Sequence, residues 1–173
     1  MSKLTGLAMS IAVLGGIWAF LALGQLGASE TTPAIALVWV GFIAWGCYFA
    51  LGADSVALQK TIAGMIYGAV IAGVALYLVN SGMLSGLGAF AAPVIIAVTV
   101  FFLVIVANVT LLSAVPANVY GYAATAGLAL TAGTLGNVTA MNTSNPVLLV
   151  IISVVLGAVF GMLSGKLAGI LGK

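Results

Sequence analysis

Long apolar runs without a charged residue recur along this chain of 173 residues. A helix that crosses a hydrocarbon core about 30 Å thick needs about 20 largely apolar residues. Six runs approach that length, and they predict six transmembrane helices. The predicted spans are residues 7–26, 34–53, 62–79, 87–105, 111–135 and 146–170, of which the fifth is the weakest.

The composition excludes most classes of soluble protein. Hydrophobic residues make up 64% of the chain and charged residues 3%, whereas a soluble domain carries roughly a quarter charged residues. The chain has four lysines, two acidic residues and no arginine or histidine, so we expect no nucleic-acid partner and no carboxylate-rich catalytic site. One cysteine, Cys47, permits neither an intrachain disulfide nor a thiolate metal cluster. We therefore expect a single all-α membrane domain over residues 1–173 that is not an enzyme and uses no cofactor or metal.

One helix boundary stays open. Between the fourth and fifth helices the chain turns either near residues 108–110 or near residues 113–116. Pro116 would kink the fifth helix in the first case and start it in the second.

The lysines predict an orientation in the membrane. If the amino terminus is cytoplasmic, then Lys3, Lys60, Lys166 and Lys173 all lie on the cytoplasmic side, and Glu30 lies outside. This arrangement satisfies the positive-inside rule and places both termini in the cytoplasm. The first run also resembles a secretory signal, but its length of nearly twenty residues favours a transmembrane helix.

Glycines spaced four residues apart form stripes on two of the predicted helices. Small residues let helix backbones approach closely in lipid, where the hydrophobic effect between helices is weak. We therefore interpret the stripes as helix-packing faces, with pore lining as the alternative, and we expect this thin bundle to form homo-oligomers. The stripe residues are Gly64 and Gly68 on the third helix and Gly157, Gly161, Gly165 and Gly169 on the sixth.

The second half of the sequence resembles the first. Residues 11–13 recur as residues 96–98, residues 67–70 recur in part as residues 156–159, and a weaker match aligns Gly41 with Asn118. Because each unit of three helices crosses the membrane an odd number of times, the two units would insert in opposite directions. The pattern predicts an inverted repeat of residues 7–80 and 87–170, unless short Gly/Ala/Val strings recur by chance.

Polar and aromatic residues suggest a path for an uncharged solute. Apart from Lys166, which can snorkel from the end of the sixth helix, no charged residue lies inside a predicted span, and this disfavours a proton-coupled pump. Neutral groups share a face on the fifth helix and on the second, where they can wall a narrow passage. The predicted lining residues are Trp18, Trp45, Tyr48, Asn108, Asn118, Tyr122 and Thr125. Alternatively, the amides and hydroxyls join helices to one another, and aromatic rings such as Tyr120 lie at the membrane interface.

Residues 15–20, 41–50 and 113–118 resemble a family of small bacterial inner-membrane proteins known as domain of unknown function one thousand ninety-seven. The resemblance implies a bacterial cytoplasmic (inner) membrane protein of five or six helices and implies no activity. The chain departs from the family pattern at Asn118 and at the two tyrosines after it. In size and lack of buried charge it is also similar to urea and short-amide channels, by architecture alone.

Three functional hypotheses follow. The first is a passive channel or facilitator for a small neutral polar solute of the urea, short-amide, ammonia or water class. The second is a secondary transporter whose halves rock against each other. The third is a non-transporting assembly subunit that binds other membrane helices, in which case apolar side chains should close the centre of the bundle.

Overall fold

The computed structural model describes residues 2–29 and 33–172, so predictions that concern Glu30 and Lys173 lie outside the described residues. Within these ranges the chain forms six α-helices joined by turns, short helical segments and irregular chain. They are α1 (Lys3–Phe20), α2 (Val38–Ala50), α3 (Ser55–Asn80), α4 (Ala91–Ile105), α5 (Val115–Thr131) and α6 (Pro146–Leu171). One π-helical turn, Leu21–Gln25, extends α1, and a 3-10 segment, Ser85–Phe90, precedes α4.

The all-helical fold and the number of helices confirm the prediction from sequence, but the lengths differ. Four helical stretches are long and apolar enough to cross a membrane: Lys3–Gln25, Ser55–Asn80, Ser85–Asn108 and Pro146–Leu171. These apolar helices indicate a membrane protein. By contrast, α2 has 13 residues rather than the predicted 20, and a helix of that length spans only about 20 Å.

Non-helical chain before α2 accounts for its short length. The backbone N–H groups of Ile35 and Ala36 donate to the carbonyl oxygen of Leu26, at 2.7 and 3.2 Å. The N–H of Leu37 donates to the side-chain oxygen of Ser153 on α6, at 2.9 Å. Irregular backbone is tolerated at membrane depth only where the protein itself satisfies its polar groups. The segment that precedes α2 therefore docks on its own chain through these bonds.

The helix α5 begins at Val115, with Pro116 in its first turn. This position confirms the second of the two boundaries that the sequence left open, because proline lacks the N–H that the first helical turn leaves unpaired anyway. Two short 3-10 turns, Val106–Asn108 and Thr110–Leu112, connect α4 to α5. The helix α5 has 17 residues and is shorter than the predicted span of residues 111–135. Thus the two short helices, α2 and α5, both follow an irregular connection.

The helices pack in two close pairs. The helix α5 lies along α3, with Ala117 near Gly64 and Tyr122 near Gly68, so the two run in the same direction. The helix α2 lies along α6 in the same way, with Gly41 against Gly157 and Trp45 against Gly161. The first helix runs antiparallel to α6, with its start at the end of α6.

Small apolar side chains fill the space among α2, α3, α5 and α6. The residues are buried, and most are alanine or valine, which allows the backbones to approach. The core contains Val40, Ala44 and Cys47 on α2, Met65 and Ala69 on α3, Ala117 and Ala124 on α5, and Val150, Val154 and Ala158 on α6.

Candidate functional site

Four of the six predicted packing glycines make close helix contacts. A Cβ built on Gly157 would collide with the backbone of Gly41, and one built on Gly68 would collide with the carbonyl oxygen of Asn118. Gly64 lies against Ala117 and Asn118 of α5. A Cβ built on Gly161 would lie 3.1 to 3.3 Å from atoms of Trp45 and Tyr48 on α2. These contacts support the interpretation as packing faces.

The last two glycines of the stripe on α6 have a different environment. A Cβ on Gly165 would make ordinary contact with Tyr48 at 3.6 Å, and one on Gly169 would meet nothing within 4 Å. Both residues line a cavity at the end of the bundle. At Gly169 the structure therefore does not support the predicted packing role.

An aromatic cluster blocks the space between α1, α2 and α6. The ring centroid of Trp18 lies 5.4 Å from that of Phe160, and the centroid of Trp45 lies 6.1 Å from the same ring. The indole N–H of Trp18 donates to the carbonyl oxygen of Val38 at 3.1 Å. The indole N–H of Trp45 is buried and has no hydrogen-bond partner in the described structure.

Tyr48 lies one turn beyond Trp45, where α2 ends. Its hydroxyl donates to the carbonyl oxygen of Ala53 at 2.6 Å, which ties α2 to the turn before α3. The ring of Tyr48 also forms part of the wall of a cavity of about 600 Å³. Of the seven predicted lining residues, Tyr48 therefore contacts this cavity.

The cavity at this end is bounded by α1, α6 and the turn between α2 and α3. Lys3 and Leu7 contribute from α1, and Met162 and Lys166 contribute from α6. Asp54 contributes from the turn, where its carboxylate accepts the backbone N–H of Ala57 at 2.7 Å and caps α3. The structure thus brings two of the lysines together at one end of the bundle, and the cytoplasmic orientation of that end stays a prediction.

The predicted lining residues on α5 make hydrogen bonds inside the protein. The side-chain amide of Asn118 donates to the carbonyl oxygens of Leu103, at 3.2 Å, and Leu112, at 3.0 Å. The hydroxyl of Tyr122 lies 3.0 Å from that of Thr99 on α4, and Thr125 donates to the carbonyl oxygen of Gly121 at 3.0 Å. These bonds join α5 to α4 or lie within α5, as the alternative interpretation predicts.

The structure does not bring the seven predicted residues into one constriction. Trp18, Trp45 and Tyr48 lie among α1, α2 and α6, whereas Asn118 and Tyr122 bond to α4. The apolar core includes residues of both α2 and α5. Asn108 lies apart from both groups. It is exposed at the end of α4 and donates to the carbonyl oxygen of Ile105 at 2.9 Å.

A family model described as "Protein of unknown function (DUF1097)" matches residues 8–169. The chain belongs to the DUF1097 family. The matched residues extend from α1 to α6, and they include the aromatic cluster, Asn118 and Lys166. Lys3, at the mouth of the cavity, precedes the matched region. The resemblance inferred from sequence is confirmed.

No curated protein and no solved structure matches the chain. Membership of the DUF1097 family therefore brings no substrate or partner with it, and the similarity to urea and short-amide channels stays a prediction. The function has to be inferred from the geometry of this chain.

Sequence reasoning missed two features of this DUF1097 chain. The first is the close approach at Gly41, where a Cβ would collide with the ring of Trp18, and at Gly121, where a Cβ would collide with the backbone of Met65 on α3. Gly41 and Gly121 do not belong to a run of glycines spaced four residues apart, so the sequence pattern does not mark them as packing positions. The second is the cavity, which requires residues near both ends of the chain.

Proposed function

We propose that the chain consists of two inverted repeats, α1 to α3 and α4 to α6, and that it transports a small uncharged solute by alternating access. The lengths of α3 and α6 support the repeat, because each helix has 26 residues. The sequence match aligns Gly41 with Asn118 and Gly68 with Gly157. If the repeat is genuine, the remaining residues that this alignment pairs should also agree in burial.

Burial on α2 and α5 follows this alignment. The aligned pairs that are buried on both helices are Val40 and Ala117, Gly41 and Asn118, Ala44 and Gly121, Cys47 and Ala124, and Tyr48 and Thr125. Between α3 and α6 the same holds for Thr61 and Val150, Gly64 and Ser153, Met65 and Val154, Gly68 and Gly157, and Ala72 and Gly161. The shared register of the buried faces in both helix pairs supports the repeat.

The close contacts are also reciprocal. Gly157 on α6 packs against the backbone of Gly41 on α2, and its aligned residue Gly68 on α3 packs against the backbone of Asn118 on α5. The contact between α6 and α2 therefore has a counterpart between α3 and α5, and aligned residues make both contacts. A two-fold axis in the membrane plane would generate this pattern.

The observation that carries the transport proposal is a pair of cavities of unequal size at opposite ends of the bundle, with a packed core in the described residues. The cavity of about 600 Å³ ends near Tyr48, and beyond it lie Trp45, Phe160 and the packed core. The corresponding ends of α3 and α4 form a smaller cavity of about 350 Å³. Ser55 lines the first cavity and Val79 the second, so they lie at opposite ends of α3, about 36 Å apart.

Unequal cavities in related positions favour a carrier over a standing channel. When two inverted repeats adopt different conformations, exchanging those conformations opens the other side. A permanent pore would need open space through the core, where the residues of α2, α3, α5 and α6 are packed. The solute would therefore cross as the halves move, and the aromatic cluster would separate the two cavities.

The solute class follows from the side chains along the proposed path. Within the described residues, the charged groups Lys3, Asp54, Lys60 and Lys166 lie at or near the helix ends, and the aromatic cluster and core are uncharged. An ion would lose its hydration without gaining a compensating charge. The proposed solute is therefore neutral and polar, of the urea, short-amide, ammonia or water class.

Uptake into proteoliposomes tests the proposal. We expect uptake of at least one neutral solute from a labelled panel to saturate with concentration and to exceed uptake into protein-free vesicles. Linear uptake without saturation would indicate a channel instead. Equal uptake with and without protein for every solute would refute transport and favour an assembly subunit.

Cysteine accessibility tests the alternation itself. After replacement of the buried Cys47 by alanine, a single cysteine is introduced as Leu58→Cys in the larger cavity or as Ala92→Cys in the smaller one. The transported solute is expected to change the two labelling rates in opposite directions. Val70→Cys, on an exposed face of α3, is the matched control and should not respond. Changes of the same sign at both cavity positions would contradict alternating access.

A further inference from the structure

Two lysines without an ionic partner face the same cavity. Lys3 lies in the first turn of α1, and Lys166 lies near the end of α6. Both side chains are exposed, and neither forms an ion pair within the described residues. Two ammonium groups that share one recess form a site for an anion, provided that the backbone holds them in place.

The contact between α1 and α6 fixes the backbones that carry the lysines. A Cβ on Gly6 would lie 2.9 Å from the backbone nitrogen of Gly172, and one on Gly172 would lie 2.9 Å from the Cα of Lys3. Side chains at these glycines would therefore force the two helices apart.

The rest of the cavity is largely apolar. Leu7, Leu58 and Met162 contribute to its wall. The cavity lies at the ends of helices long enough to cross a membrane, where phospholipid headgroups would be found. A ligand with an anionic head and a hydrocarbon tail would match both parts of this surface, whereas a soluble anion would use only the lysines.

We propose that the cavity binds an anionic phospholipid, with the headgroup phosphate between Lys3 and Lys166 and an acyl chain against the apolar wall. The proposal does not depend on transport. Asp54 lies in the same cavity and reduces its positive charge, although one carboxylate oxygen already accepts the N–H of Ala57.

Native mass spectrometry of the delipidated full chain, titrated with phosphatidylglycerol or phosphatidylcholine, tests the site. We expect phosphatidylglycerol to bind more tightly. Lys3→Gln and Lys166→Gln should each weaken its binding about fivefold, the value of one lysine near an anionic lipid surface. Lys60→Gln is the matched control, because Lys60 is at the same end of the bundle and outside the cavity wall. Asp54→Asn keeps a capping side chain and should tighten binding.

Two further measurements keep the proposal falsifiable. Lys166→Arg should retain binding, which separates the loss of charge from damage to the fold. Inorganic phosphate at millimolar concentration should not displace phosphatidylglycerol. Displacement by phosphate would show a site for soluble anions and overturn the proposal. Equal binding of phosphatidylcholine, or equal weakening by Lys60→Gln, would overturn it as well.

Discussion

The hydroxyl of Tyr48 and the carbonyl oxygen of Ala53 lie 2.6 Å apart in a hydrogen bond that closes the turn between α2 and α3. Ala53 has a φ of 58°, in the left-handed region that favours glycine. The bond therefore holds a strained residue beside the larger cavity and fixes the ring of Tyr48 in the cavity wall.

Tyr48→Phe tests this bond. Removing the hydroxyl leaves the carbonyl of Ala53 without that donor, and we expect the free energy of unfolding to fall by about 1 kcal/mol. Titration with sodium dodecyl sulfate in mixed micelles gives the measurement. Tyr77→Phe is the matched control, because Tyr77 is 49% exposed, and it should change the free energy of unfolding by less than about 0.5 kcal/mol. Equal losses for both variants would contradict a specific role for the bond.

Gly41→Ala tests the packing of α2. The new methyl group would meet the Trp18 ring within 2.7 Å, and we expect a loss of about 1 to 3 kcal/mol, as overpacking typically costs. Gly46→Ala lies on the same helix, where an added Cβ meets nothing within 4 Å. It should stabilise the protein by about 0.5 to 1 kcal/mol through helix propensity. A loss at both positions would indicate general helix disruption, and the same unfolding titration distinguishes the outcomes.

The sequence predicts the number of helices and the bounds of α6 because these depend on local hydropathy. The predicted sixth span, residues 146–170, ends one residue before α6 does at Leu171. The start of α2 could not be predicted, because the N–H of Leu37 bonds to Ser153, which lies 116 residues away. Such a bond leaves no local pattern, whereas Pro116 does mark the start of α5.

The candidate site is predicted less well, for a physical reason. The spacing of Gly64 and Gly68 shows a packing face but not its partner, because partner choice depends on how the helices assemble. The predicted role of Asn118 rested on its position on a helix face. That position is compatible both with lining a passage and with the bonds it makes to Leu103 and Leu112.

Asn118→Ala tests the link between α4 and α5. The amide of Asn118 donates to the carbonyl oxygen of Leu103 in α4 and to that of Leu112 in the connection before α5, so its removal leaves both without that donor. We expect a loss of about 2 to 3 kcal/mol in the free energy of unfolding. Asn108→Ala is the matched control, since Asn108 is exposed and donates only to the carbonyl of Ile105. The proposed role would be contradicted if Asn108→Ala cost as much as Asn118→Ala.

The contact between Thr99 and Tyr122, at 3.0 Å, permits a double-mutant cycle across α4 and α5. Thr99→Val and Tyr122→Phe each remove one hydroxyl with little change in shape. Because hydrogen bonds between membrane helices contribute about 0.6 kcal/mol on average and up to about 1.7, we expect a coupling energy in that range.

Unfolding of the wild type, both single variants and the double variant gives the coupling energy. Thr131→Val with Tyr122→Phe is the uncoupled control, because Thr131 bonds to Gly127 of its own helix. A Thr99–Tyr122 coupling no larger than the control would mean that the hydroxyls do not join α4 to α5. In that case α4, which belongs to the least buried of the membrane-length segments, would be held by apolar contacts and by the bonds from Asn118 to Leu103 and from Tyr67 to Phe102.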